Sequence, residues 1–201
     1  MLLSVPPQQI LAHRIIWSMI FLLLILAWRR EKLFLQYFTS PRTLGILVLT
    51  AALIGLNWFT YIWAVNNNHI VDSSLGYYIN PIVNILLGVI FLKERLSRIQ
   101  LIAVTFAFAG VAFLSWHYGR LPVISLVLAF SFGLYGLLRK KANLQSMPGL
   151  MVETLLLAPV ALWYLWHMNT LGSGSFDHVS RLTDFLLMLR GPITALPLFW
   201  F

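Results

Sequence analysis

The sequence predicts an all-α integral membrane protein, a helical bundle of about seven transmembrane spans. Three observations carry that expectation. Hydrophobic residues make up 60% of the 201 and charged residues only 10%, whereas soluble domains carry about 25% charged residues. The apolar residues fall into runs that, at about 1.5 Å per helical residue, reach across most of the roughly 30 Å hydrocarbon layer. The charges collect between those runs rather than within them.

Residues 1–9 contain Pro6 and Pro7 but neither a basic leader nor a cleavage site, so they do not read as a signal peptide. The first apolar run extends from Ile10 to Trp28, with His13 and Arg14 near its start and Arg29, Arg30 and Lys32 at its end. A short amphipathic connector, LFLQYFTSPR, leads to the second run, Leu44 to Val65. Asn57 and Tyr61 lie four residues apart there and share a helix face. A polar turn, Asn66 to His69, precedes a helix start expected at Asp72. From Leu75 to Leu92 eighteen residues pass without a formal charge, and Lys93, Glu94, Arg95 and Arg98 close the third run. Tyr77, Asn80, Pro81, Asn84 and Gly88 inside it are spaced to lie on one face.

The fourth run is Gln100 to Trp116, with Gly110 as an expected close-packing point. The fifth, Leu121 to Leu138, is interrupted by Ser125, Ser131, Gly133, Tyr135 and Gly136, and Arg139, Lys140 and Lys141 end it. The sixth, Gly149 to Met168, holds Glu153 and Pro159. A polar loop, residues 169–183, leads to a seventh run that begins near Asp184 and includes Arg190, Gly191, Pro192 and Pro197. The chain stops at Phe201 in apolar sequence without a polar flank, which reads as a chain that ends too early.

Strict alternation of seven spans places Arg29, Arg30, Lys32, Arg42, Lys93, Arg95, Arg98, Arg139, Lys140 and Lys141 on one side. Only Arg14, Arg120, Arg181 and Arg190 fall on the other. The positive-inside rule makes the ten-residue side cytoplasmic, so the first span runs from outside to inside.

The chemistry available is narrow. There is no cysteine, hence no disulfide, thiolate or cysteine-based metal site. No GxxxxGK[ST], HExxH or GxSxG pattern occurs, and the five histidines lack ligand spacing. No metal and no cofactor is expected. The +8 net charge does not indicate nucleic acid, because the basic residues sit in short runs between apolar segments. The expected partners are the bilayer, a small-molecule substrate and, in some readings, a second copy of the chain.

The face of Tyr77, Asn80 and Asn84 has two readings. Asparagines can join helices in lipid, each contributing about 0.6 to 2 kcal/mol. They can also line a substrate cavity, and Pro81 favours that use by freeing the carbonyl of Tyr77 for a ligand or water. Asn57 and Tyr61 are candidates for the same cavity. Arg14 either snorkels to the outer interface or, with His13, faces the cavity and holds a polar or anionic substrate. Asp72 and Glu153 are helix caps or, with His13, proton-coupling groups. Pro81, Pro159 and Pro197 are candidate helix breaks and Gly88 a candidate close-packing point.

The stretch NWFTYIWAVNNNHIVDSSLGYYINPIVNILLGVIFLKERLSRIQLIAVTFAFAGV, with AHRIIWS at residues 12–18, LAFSFGLYGLLRKK from Leu128 and GPITALP from Gly191, resembles the EamA branch of the drug/metabolite transporter superfamily over almost the whole chain. The resemblance implies ten helices in two inverted five-helix repeats around a central cavity, in the bacterial inner membrane. Residues 1–116 would be a first repeat lacking its first helix, and residues 117–201 a second repeat cut within its third. Gly191 and Pro197 match the family pattern, while Arg190 stands where a small residue is usual.

The function implied is a secondary transporter of small metabolites or drugs working by alternating access. A second reading is a non-transporting remnant of such a permease. A third, a membrane enzyme acting on lipids, lacks the paired acids or histidines it would need at one interface. Single cysteines near residues 30, 95 and 140 are expected to react with impermeant thiol reagents only from the cytoplasm, and those near 68, 118 and 175 only from outside. Labelling at 95 or 140 from outside intact cells would overturn this topology.

Overall fold

The structure, a computed structural model, describes residues 5–118, 122–174 and 181–196. Among them are eight helices and no strand: α1 (Pro7–Trp28), α2 (Leu33–Gln36), α3 (Pro41–Asn66), α4 (Ile70–Leu92), α5 (Arg98–Tyr118), α6 (Val123–Lys141), α7 (Ser146–Thr170) and α8 (Arg181–Ala195). Five of them, α1, α3, α4, α6 and α7, are long and apolar enough to cross a membrane. The chain is therefore an all-α, multi-pass membrane bundle.

Local sequence explains where the helices begin and end. Pro7 opens α1, where its missing N–H costs nothing. Helix α5 starts on a reciprocal pair: the Ser97 amide donates to Gln100 Oε1 at 2.9 Å and the Gln100 amide to Ser97 Oγ at 3.3 Å, the capping box of an S-x-x-Q sequence. Lys93, in the left-handed conformation at φ 57°, ends α4. The expected start of α4 at Asp72 is displaced. The helix begins at Ile70 with His69 before it, and Asp72 lies in its first turn, where Oδ2 meets His69 Nδ1 at 2.8 Å. Asp72 thus favours the helix dipole rather than capping the end. The connector after α1 contains the one-turn helix α2. Pro197 lies outside the described residues.

The chain divides into two compact units, residues 1–55 with 141–201, and residues 56–140. In the first, α1 packs against α7 and α8, and α2 against α7. Gln9 Nε2, near the start of α1, donates to the carbonyl of Ser173, just past the end of α7, at 2.7 Å. Helices α1 and α7 are therefore antiparallel. Helices α1 and α8 meet backbone to backbone: a Cβ added to Gly191 would lie 2.3 Å from the carbonyl carbon of Trp17 and 2.4 Å from the amide nitrogen of Ser18. The Ser18 hydroxyl donates to the Gly191 carbonyl at 3.4 Å. In the same unit, a Cβ on Gly55 would sit 3.5 Å from Leu157, an ordinary contact.

In the second unit α4 and α6 run parallel in continuous register. The Ser125 hydroxyl donates to the Asp72 carbonyl, Gly76 lies against Leu128 and the Ser125 carbonyl, Gly133 lies against Val83 and Leu87, and Lys140 Nζ reaches Glu94 Oε1 at 2.8 Å. Ile79, Val83, Leu87, Ala129 and Leu137 form the core there, with Val111 of α5 beside it. Lipid is as apolar as these side chains, so close van der Waals packing at small residues, not water exclusion, holds the pair. Gly110 does not take part: nothing described lies within 4 Å of its Cβ position.

Gly191→Ala is expected to lower stability by about 1–3 kcal/mol, since a backbone, not a pliable side chain, must retreat. Gly136→Ala, at a position open to space, should stabilise by about 0.5–1 kcal/mol through the helix-interior preference for alanine. Thermal unfolding in one detergent compares the two, and equal midpoints would contradict the contact.

Candidate functional site

Helix α4 is two-faced within its unit. Ser73, Gly76, Ile79, Ile82, Val83 and Leu87 are buried, the side turned to α6. Tyr77, Pro81 and Asn84 are exposed. Of the residues expected on one face, Tyr77 and Pro81 stand on the open side, Asn84 brings its Oδ1 toward α6, and Gly88 is buried. Tyr61 of α3 meets Tyr77 edge-on, with ring centroids 6.1 Å apart. Asn80 is half-buried, and its Oδ1 is buried without a hydrogen-bond partner. An unsatisfied amide oxygen in an apolar surround costs about 1–3 kcal/mol, so this oxygen has acceptor capacity to spare. Pro81 adds to it, since the Tyr77 carbonyl has no amide at residue 81 to bind. The Oδ1 of Asn84 lies 3.2 Å from where a Cβ on Gly133 would stand.

Asn57 is placed differently. Its Nδ2 donates to the Leu128 carbonyl at 2.9 Å and to Ser131 Oγ at 3.0 Å, tying α3 to α6. Gly88 is closed by a side chain rather than by a helix: a Cβ there would lie 2.7 Å from Glu94 Oε2. That carboxylate folds back over the last turn of α4 while Lys140 holds its other oxygen.

The first unit carries the buried charges. Glu153 is completely buried, within a run of α7 from Met147 to Thr154 that is buried all round. His13 is buried on α1, and Arg14 beside it is half-buried with a buried Nε. Asp184, in the first turn of α8, is near enough to His13 for a Coulombic interaction. The Gly191 contact explains the pairing: Asp184 lies two turns before Gly191, on the face that α8 turns to α1. Ionisable groups inside a membrane bundle are costly to keep and are therefore functional candidates. Pro159 lies inside α7 without ending it. Among the described residues there is no group of three His, Cys, Asp or Glu that could hold a metal ion.

Sequence reading passed over three partners. Asp184 was legible as an acid near a span start, but nothing local pairs it with His13. Ser131 and Gly133 were visible as breaks in an apolar surface, and their roles as receivers of Asn57 and of α4 depend on a helix more than 40 residues away.

These features define a multi-pass helical membrane protein with a polar open face on a proline-containing helix. The EamA-like transporter family model matches residues 1–116. "Protein RarD" of Salmonella typhi is 45% identical over 98% of this chain and 67% of its own length. The "Uncharacterized transporter YojE" of Bacillus subtilis is 47% identical over the same shares, and "Protein RarD" of Escherichia coli is 42% identical over the same shares. No solved structure matches. The chain belongs to the EamA-like transporter family and spans about two thirds of the length of these relatives. It is a bacterial transporter chain, not an enzyme.

In a double-mutant cycle, Asn57→Leu and Ser131→Ala are expected to couple by about 0.5–1.5 kcal/mol, the range of interhelical hydrogen bonds in membranes. Additive effects on the unfolding midpoint would show that the Asn57 amide does not join the helices.

Proposed function

We propose that this chain works in an inner-membrane permease that moves small metabolites or drugs by alternating access, and that Tyr77, Asn80, Pro81 and Asn84 of α4, with Tyr61, line the substrate path. The observation that carries the reading is the buried, unpartnered Oδ1 of Asn80 beside a proline in a family of transporters. Transporter sites commonly use interrupted helices whose freed backbone groups serve the substrate. Seven spans are proposed, α1 and α3 to α8. The directions within each unit support strict alternation: α1 antiparallel to α7 and α4 parallel to α6.

The ten-helix arrangement of two inverted repeats is proposed on the same footing. Residues 1–116 would belong to the first repeat, the range of the family match, and residues 117–201 to the second. The loops at residues 29–42, 93–98 and 139–141 would be cytoplasmic, by charge. For coupling, His13 with Asp184 and the fully buried Glu153 are the favoured groups, and Asp72, held by His69 at the end of α4, is a weaker one. Arg14 would bring positive charge to the same part of α1.

Asn84→Leu is expected to reduce transport about tenfold, the scale of one lost hydrogen bond in a dry site. Ile85→Leu, a swap between similar apolar side chains, should leave it unchanged. The assay is uptake or exchange in liposomes at matched protein content, with the chain extended to the length of its relatives. Equal rates for Asn84→Leu and the unaltered protein would remove Asn84 from the path.

A further inference from the structure

We infer that the connector between α1 and α3 is a binding surface for anionic phospholipid headgroups. Both ends of the connector are held at the bilayer interface, because it joins two membrane-spanning helices. Arg29, Arg30, Lys32 and, at the head of α3, Arg42 are all exposed, against the single acid Glu31. Arg30, Lys32 and Arg42 form no ion pair with any described residue. Large apolar side chains stand among them. Trp28 is 81% exposed, Leu35 52% and Phe38 41%.

The exposure is built into the backbone. Arg30 takes the left-handed conformation at φ 53°, and the Glu31 amide returns to the Leu26 carbonyl at 2.9 Å. Helix α2 then packs on α7, and the Tyr37 hydroxyl accepts the Gln145 amide at 3.2 Å. The Thr39 hydroxyl donates to the Gln36 carbonyl at 2.7 Å. With the segment fastened at Tyr37, Leu35 and Phe38 are left exposed in the same short connector as the guanidinium and ammonium groups.

One occupant satisfies both sets. The boundary between headgroups and acyl chains takes Trp, Leu and Phe, while the phosphate above it takes Arg and Lys. A zwitterionic headgroup offers no net charge to these cations, and a soluble phosphate leaves the apolar side chains in water. Positive charge alone is not the distinguishing feature. The α4–α5 connector is also basic, but Lys93 and Arg95 flank Glu94, which binds Lys140, and the exposed Phe91 and Ile99 lie on the helices to either side rather than within the connector, as Leu35 and Phe38 do.

Native mass spectrometry of the full chain with phosphatidylglycerol or phosphatidylcholine of identical acyl chains tests the surface. Phosphatidylglycerol is expected to be retained in preference. Arg30→Gln with Lys32→Gln should weaken that retention about tenfold or more, given roughly 1 kcal/mol for each basic residue near an acidic membrane surface. Arg30→Lys with Lys32→Arg, keeping the charge, should preserve it. Lys93→Gln with Arg95→Gln removes the same charge elsewhere and should change it by less than about twofold. Equal retention of the two lipids, an equal loss from both glutamine pairs, or displacement of phosphatidylglycerol by glycerol 1-phosphate at the same concentration would each overturn the inference.

Discussion

In the hydrocarbon layer each backbone N–H and C=O has to be satisfied inside its own helix, because no water is there to take its place. The hydroxyl side chains of this protein obey the same constraint. Ser73 and Ser74 both turn back to the Ile70 carbonyl, Thr50 to Leu47, Thr105 to Leu101, Thr154 to Leu150 and Thr194 to Arg190. Each serine or threonine is absorbed by the previous turn, so it adds little polarity to the helix surface. The prolines are the exceptions. Pro81, Pro159 and Pro192 sit inside helices, and each leaves the carbonyl four residues earlier without its usual amide. Polar capacity in this bundle is concentrated where a proline, an asparagine or a charge resists that internal bookkeeping.

Helix association follows from the same solvent. Apolar side chains gain nothing by leaving lipid, so helices join where small residues let them approach and where a few polar groups reach across. Gly191 brings α8 onto the backbone of α1, and Gly76 and Gly133 bring α4 and α6 together. Asn57 and Ser125 then add interhelical hydrogen bonds at defined heights. One end of the α4–α6 pair is held by Ser125, the other by the Glu94–Lys140 ion pair. That pair is well exposed and so contributes at most about 1 kcal/mol, leaving its end the easier one to separate.

Each unit carries its own candidate residues, and no single motif contains them. The α4 face supplies neutral hydrogen-bonding groups and aromatic rings. The ionisable groups, His13, Arg14, Glu153 and Asp184, lie on α1, α7 and α8. Neutral groups can hold many small molecules, and buried ionisable groups can carry protons.

The sequence alone determined the membrane class, the helical runs, the gathering of basic residues between those runs, and the peculiarity of the Asn80–Pro81–Asn84 helix. Those properties are local: hydropathy, helical period and charge between runs need no knowledge of neighbours. Tertiary structure alone decided which face of each helix meets another helix. Asn57 and Asn80 are the same residue on similar apolar runs, yet one is spent joining α3 to α6 and the other keeps a buried oxygen unpartnered. Gly110 and Gly133 look alike in sequence, yet the first faces open space and the second receives α4. Asp72, expected to cap α4, pairs with His69 because the helix starts two residues earlier. The physical reason is common to the asparagines and the glycines. A 3.6-residue period sets which residues share a face, but the partner for that face comes from a distant segment, and in lipid no hydrophobic gradient marks in advance which face will be covered.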